Sequence, residues 1–486
     1  MPEAPSPARP AAAATDATAT DAATDPQTAA STDSPLAAAA TRRHVAAAST
    51  GSRVVGVVAG EPEPLSDGDS AASSNPLPTG APPLLVRTSG GVRAALDLRP
   101  YAVEGQFDGW VVSDLIPTLD GRDQALRPDF VLGISPASTT LAQLAVPGPL
   151  GRVLDLGTGC GVQALHPAGR AERVVATDLN PRALVLADLT AALNGVEPDL
   201  REGSLYEPVA GSGFDLILTN PPYVMSPPSD ERLVYREGSL PADDLVRQVV
   251  SGAATHLNPG GLLQVLANWA ITDRPWQERL AEWIRPTGCD VLVIERERLD
   301  PAEYIEIWLA DAGLAGAPDY PARYAEWLDY FETLGITAVG MGWIALYNTG
   351  RDEPDLRFDE WPHRVQQPVG QAFADHPAAV TASRLPDGEL LASRWRLADD
   401  VVQETLGQPG AEDPEHIVLR SGTGFCRAHE VDTALGGVLG ACDGDLPLAD
   451  LIGAVADLLE VDSADLTADL LPRLRTVIAD GMLRRA

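Results

Sequence analysis

The chain contains no lysine: all 35 basic side chains outside histidine are arginine. That excludes Schiff-base chemistry on lysine and the phosphate-binding P-loop lysine. Cysteine is scarce and scattered. Cys160, Cys289, Cys426 and Cys442 form no C-x-x-C pair, so neither a zinc ribbon nor a disulfide framework is expected, and no metal with them. No apolar run approaches the roughly 18 residues of a membrane span. The first residues lack the charged start and apolar core of a secretory signal. Arg42-Arg43 resembles a twin-arginine signal, but Arg53 breaks the apolar stretch that would follow. A cytoplasmic protein with no membrane contact is therefore expected. Positive charge is also short: 35 arginines face 69 acids, a net charge of −34. Phosphate contacts supply most non-specific affinity for nucleic acid, so DNA or RNA is a disfavoured partner, excluded only if no local basic face exists.

What is present divides into four stretches. Residues 1–82 hold no aromatic residue and are dominated by Ala, Thr, Ser, Pro and Asp. Such a segment buries too little apolar surface to offset chain entropy and is expected to be a disordered tail, with a short strand conceivable at "SRVVGVVAG". Residues 83–128 read as a β-rich lead-in, with a hairpin about Ser89-Gly90-Gly91 and a strand at "GWVVSDL". Residues 129–350 alternate strands and helices, which argues for a mostly parallel sheet covered on both faces. Ser138 is the expected N-cap of the helix that opens this stretch. Residues 351–486 read as a separate accessory module of mixed α and β structure. "LPLADLIGAVADLLE" and "LTADLLPRLRTVIADGMLRRA" have helical apolar spacing there, and a mostly helical, winged-helix-like bundle is expected.

The chemistry concentrates at two places. "VLDLGTGCGV" sets Asp155, Gly157, Gly159 and Gly161 between a strand and a helix. Glycines allow φ > 0 and close approach of a ligand. The spacing is G-x-G-x-G, one residue short of the dinucleotide fingerprint. An acid two residues before the first glycine would repel a pyrophosphate but suits a cationic amine. The next strand ends at Asp178, whose carboxylate can accept from both hydroxyls of a ribose. A nucleoside carrying an amino acid fits these groups. The second place is "FDLILTNPPYVM", a core strand stopped by Asn220, Pro221, Pro222 and Tyr223.

With both motifs in place the chain resembles the class I S-adenosylmethionine-dependent methyltransferases. It is most similar to the HemK-like protein glutamine methyltransferases that carry NPPY, over about residues 130–270 and on toward 348. The resemblance implies a Rossmann-like sheet with helices on both faces and S-adenosyl-L-methionine as cofactor. It places Asp155, Gly157, Thr158, Gly159, Gly161, Asp178 and Leu179 at the cofactor, with Ser204 and Leu205 of "GSLYEPV" near the adenine and Asn220 between cofactor and acceptor. Asn220, Pro221, Pro222 and Tyr223 become the catalytic set. The family's "PRPETE" segment, on the substrate side, is "SPASTTL" here, matching only Pro136 and Thr139, so the resemblance alone does not imply the release-factor substrate.

An sp² NH₂ group is a poor nucleophile because its lone pair is delocalised. A site for it must orient it. Asn220 can accept one N–H through its side-chain oxygen and the Pro221 carbonyl can accept the other. Proline before proline fixes that carbonyl's direction, and Tyr223 can stack on the planar acceptor. The leading expectation is N-methylation of a planar amide or amine nitrogen on a protein, first of all a glutamine side chain. The alternatives are an exocyclic amine of rRNA, tRNA or DNA, and a cofactor-binding protein without turnover. The oligomeric state is not readable. Other prominent residues have ordinary readings. Cys160 is a small packing residue, His166 a surface helix residue, His256 a helix-end residue and Asp243-Asp244 a helix start. Trp269 belongs either to the core or to the pocket, and Glu295 and Glu297 are solvent-facing strand positions.

Overall fold

The computed structural model describes residues 82–88, 91–103, 107–116, 127–228, 235–236, 240–409 and 414–486. The expected tail, its possible strand and the Ser89-Gly90 hairpin tip lie outside the described residues, apart from residue 82. The flanks of that tip are strands β1 (Leu85–Thr88) and β2 (Gly91–Ala94), paired antiparallel. A second hairpin, β3 (Leu96–Val103) and β4 (Phe107–Asp114), completes the lead-in.

The centre is an eight-stranded sheet in the order β12-β10-β11-β9-β8-β5-β6-β7. Its strands are β5 (Leu150–Leu156), β6 (Ala171–Asp178), β7 (Asp199–Glu202), β8 (Phe214–Thr219), β9 (Leu257–Ile271), β10 (Asp290–Leu299), β11 (Ala338–Tyr347) and β12 (Leu356–Glu360). Only β11 runs against its neighbours. Val153, Leu154, Leu216, Ile217 and Leu218 are wholly buried, the near-continuous apolar run of strands covered on both faces. The described residues thus form the expected Rossmann-like sheet with a β lead-in and a C-terminal, mostly helical region.

The helices around the sheet begin with α1 (Pro136–Leu144), α2 (Val162–Ala168), α3 (Pro181–Leu193), α4 (Asp244–Ala253), α5 (Trp276–Ile284) and the first of a helical hairpin, α6 (Pro301–Asp311). The hairpin's second helix is α7 (Tyr320–Thr333). The N-cap of α1 is Ser135 rather than Ser138. Ser138 stands at N3 and returns the bond, making a capping box.

The lead-in decides the fate of His166. β3 and β4 cover α2 and α3, where Leu96, Val111 and Val112 meet Val162, Leu165 and Leu186. His166 is therefore buried, not on the surface as expected. Its Nε2 lies 3.1 Å from the Tyr101 hydroxyl, and burial pushes its pKa down to about 4. Asp243 departs too. It does more than start a helix: it is 2% exposed, accepts the Ala270 N–H and takes both ends of the Arg279 guanidinium at 2.7 and 2.6 Å. Glu295, expected in solvent, is 5% exposed and paired with Arg298 at a bulge in β10.

The C-terminal region comprises α8 (Gly370–Ser383), α9 (Asp387–Ala392), β13 (Arg394–Leu397), β14 (Val401–Leu406), β15 (His416–Ser421), β16 (Ala428–Val431), α10 (Thr433–Gly440), β17 (Asp443–Pro447), α11 (Leu448–Leu459), α12 (Ser463–Ala479) and β18 (Leu483–Arg485). Both helices expected from apolar spacing are present as α11 and α12. Two three-stranded sheets, β17-β13-β18 and β14-β15-β16, accompany them. α8 packs Phe373 into the core of the large sheet, whereas Leu390, Trp395, Leu439, Ile452 and Leu474 form a core of their own.

A buried ion cluster joins this region to β12. Asp480 lies 2.6 Å from Arg357 and 2.8 Å from His429, and Arg427 bridges Asp480 and Asp359. Burial pushes the Asp480 carboxyl up, but the His429 hydrogen bond and the Arg427 and Arg357 charges outweigh it and hold the pKa at about 2. A depressed carboxylate stabilises the fold above its unfolded pKa, and that contribution is lost as pH falls toward the folded value. Asp480→Asn is expected to cost about 3 kcal/mol near neutrality, because it strands buried arginine charge. The melting-temperature gap between wild type and variant should narrow as pH falls from about 4 to about 2. A constant gap would contradict this.

Candidate active site

The sheet order turns between β5 and β8: the chain runs outward through β6 and β7, then returns on the other side. Ligands of open α/β sheets sit beyond the strand ends at such a point. A cavity of about 220 Å³ lies there.

Its floor is the turn after β5. Gly157, Gly159 and Gly161 all have positive φ, at 76°, 57° and 83°. The Gly157 and Thr158 N–H groups both donate to the Thr177 carbonyl, which draws the turn against β6. A Cβ on Gly157 or Gly159 would meet no protein atom within 4 Å, so both leave room for a ligand on that side. Gly161 differs. It caps α2, it does not line the cavity, and a Cβ there would stand 3.1 Å from Ala187.

Asp178 ends β6 at the cavity wall. One carboxylate oxygen accepts the Gly159 N–H at 2.8 Å and the other accepts the Asn180 N–H at 2.8 Å. These backbone donors leave the carboxylate with lone-pair capacity to spare. Burial raises the pKa, and the backbone donors pull it back only in part. Leu179 lies beside it, 56% exposed, and Ser204 and Leu205 continue the wall.

Asp155 sits elsewhere than the sequence suggested. It is 1% exposed beneath the turn and is not part of the cavity wall. Its Oδ2 accepts the Thr158 hydroxyl at 2.5 Å, and burial pushes its pKa up to about 7. It fixes Thr158, which does line the cavity. Cys160 lines the cavity but is 2% exposed, with its thiol pushed up to about 12 by burial; it is no nucleophile at neutral pH.

On the other side, Asn220, Pro221 and Pro222 follow β8 into the wall. The Asn220 Oδ1 atom is buried and has no hydrogen-bond partner. A buried acceptor left unmade costs free energy unless a ligand supplies the donor. Tyr223 is not brought into the wall. It is half-buried between three apolar clusters, its ring set at 75° to Trp308 with centroids 6.3 Å apart. Burial, then the Asp311 charge, pushes its hydroxyl up to about 12. Trp269 is fully buried against Trp276 and also stays outside.

Several wall residues carry no motif that would have marked them. Phe130 and Tyr235 meet edge to face, 5.7 Å apart. Gln163, 5% exposed, donates to the Ser138 carbonyl at 2.7 Å, while its Oε1 is buried without a partner. That second orphan acceptor opens the helix after the glycine turn, a position only the turn itself would have flagged. Among the described residues Asp178 is the single charged side chain in the wall. Among the described residues no cluster of His, Cys, Asp or Glu could hold a metal, and no helix is long and apolar enough to cross a membrane.

A glycine turn after the first strand, an acid ending the second and an unpartnered amide after the fourth make this a class I methyltransferase domain of the S-adenosylmethionine-dependent kind. The Methyltransferase small domain family matches residues 133–285, and residues 379–485 match a Domain of unknown function (DUF7782). A Ribosomal RNA small subunit methyltransferase C of Salmonella arizonae is 30% identical over 173 residues, covering 35% of this chain and 44% of that protein. Release factor glutamine methyltransferases are 37% identical over 158 residues in Deinococcus radiodurans, covering 30% and 54%, and 36% over 126 residues in Geobacter sulfurreducens, covering 23% and 44%. The chain spans about half the length of the curated relatives it matches.

Proposed function

We propose that the chain is an S-adenosylmethionine-dependent N-methyltransferase acting on a planar amide nitrogen, first of all a protein glutamine side chain. The observation that carries this is Asn220 Oδ1, buried at the cavity wall without a donor. An NH₂ group supplies the donor it lacks.

The groups present fit the cofactor. Gly157 and Gly159 leave open space, Asp178 keeps lone pairs for ribose hydroxyls, and Leu179 and Leu205 offer apolar faces to a base. Gln163 Oε1 is an acceptor for the ammonium of the amino-acid part. When bound, S-adenosylmethionine supplies an electrophilic methyl on a sulfonium. The protein's part is orientation: Asn220 Oδ1 accepts one N–H of the acceptor, and the Pro221 carbonyl accepts the other. Held so, the nitrogen presents its lone pair to the methyl. Positioning of this kind accounts for roughly 7–11 kcal/mol in well-aligned cases. The displaced proton leaves to water after the N–C bond forms. Tyr223 is half-buried outside the wall, whereas Phe130 and Tyr235 are rings that the described residues bring to the cavity.

A second reading, an exocyclic amine of RNA, has the ribosomal RNA methyltransferase relatives in its favour. A cofactor-binding protein without turnover has no use for an unpartnered acceptor at Asn220. Full-length protein, methyl-tritiated S-adenosylmethionine, and separate protein and RNA fractions from cells lacking this chain discriminate the readings. Label in the protein fraction is expected. Label confined to RNA selects the second reading, and label in neither rejects both.

A further inference from the structure

We propose that the α6–α7 hairpin is the positioning frame for the acceptor side, and that the hydroxyls of Tyr304 and Tyr330 are its positioning residues. This rests on the reading of Asn220 as the acceptor clamp.

The stretch after β8 needs outside support. Pro221 and Pro222 have no N–H to give to a ladder. The first N–H donated outward on the far side of Tyr223 to a side chain is that of Met225, which bonds the Tyr304 hydroxyl at 3.0 Å. Met225 is 1% exposed and Tyr304 0%. The same hydroxyl lies 2.9 Å from Asn268 Nδ2 on β9, itself wholly buried, so the anchor is tied to the sheet. One turn along α6, Trp308 sets its ring against Tyr223, the i, i+4 neighbour position on one helix face.

The same hairpin holds the chain where it returns. The Ala242 N–H, two residues before α4, donates to the Tyr330 hydroxyl at 3.0 Å. Between these points the Arg236 guanidinium donates to the Trp308 carbonyl at 2.8 Å, and the Val224 N–H donates to the Arg236 carbonyl at 2.9 Å. Tyr235, which lines the cavity, is thereby carried on the same frame. A tyrosine buried for packing alone gains nothing from its hydroxyl, because desolvating it costs free energy that a phenylalanine avoids. Tyr304 is such a residue, and the half-buried Tyr330 makes the matching bond; with its hydroxyl on the Met225 N–H and that of Tyr330 on the Ala242 N–H, the pair points to placement of the main chain at those two residues.

The test uses Tyr304→Phe, Tyr330→Phe and the double variant in the full chain. Single-turnover transfer of tritiated methyl into protein extract from cells lacking the chain is measured per folded molecule, with calorimetry of S-adenosylmethionine and melting temperature alongside. Transfer is expected to fall about tenfold in Tyr304→Phe and further in the double variant, the scale of a small misplacement, while cofactor affinity stays within about twofold. A lower melting temperature with undiminished transfer means the hydroxyls serve stability alone and overturns the proposal. Cofactor affinity falling in step with the rate overturns it too. Asn220→Ala run in parallel separates the failures. If Asn220→Ala loses transfer and the double variant does not, the hairpin proposal alone is wrong. If Asn220→Ala keeps full transfer, the reading of the site is wrong and this inference goes with it.

Discussion

Asn220→Ala should transfer methyl groups about a hundredfold more slowly than wild type and bind S-adenosylmethionine within a few-fold of it. The substitution removes an acceptor that nothing in the protein uses, so no internal hydrogen bond is broken. What is lost is the partner of the incoming NH₂, which is then free to rotate. Asn220→Asp keeps an acceptor but adds a charge that must be desolvated in a cavity that already holds the Asp178 carboxylate, and should also fall well below wild type. Single-turnover transfer at saturating cofactor is the measurement. An unchanged rate in the alanine variant would reduce the Asn-Pro-Pro stretch to a turn.

Asp178→Ala should weaken S-adenosylmethionine binding by roughly 1.5–3 kcal/mol, the scale of hydrogen bonds to a charged group. Here the protein also loses internally, because the carboxylate accepts the Gly159 and Asn180 N–H groups. Asp178→Asn does not rescue this. An amide offers one oxygen where two backbone donors each need one, so an NH₂ must face an N–H. Calorimetry should therefore find both variants weakened, and the slack turn at Gly159 should add to the loss. Wild-type affinity in either would remove Asp178 from the cofactor site.

That those two residues reach the cavity wall was legible in the sequence because their placement is local. A glycine's φ, an acid at a strand end and a proline's missing N–H act within a few residues of where they stand. The sheet was legible for the same reason: "RVLDLG" and "FDLILT" are mostly apolar on both faces, as doubly covered strands are. Longer-range facts were not. His166 is polar on a short helix and reads as exposed, yet the lead-in hairpin, which begins some 70 residues earlier, lies over it. Asp243 reads as a helix start because its partner Arg279 is on another helix. Tyr223 reads as a stacking ring because NPPY brings it next to Asn220 in sequence, but Trp308 claims it in space. The α6 helix that supplies Trp308 and Tyr304 gives no chemical signal at all, since its contribution is to reach a main-chain N–H. Phe130 and Tyr235 are 105 positions apart and only the fold brings them to one cavity.

The most direct test compares the proteomes of cells with and without this chain by mass spectrometry of peptides. A glutamine side chain carrying one added methyl group should be present in the first and absent from the second, and restored by the wild-type chain but not by Asn220→Ala. Peptide methylation identical in all of these cells, with a methyl mark lost instead from an RNA base, would contradict the assignment of a protein amide as the acceptor.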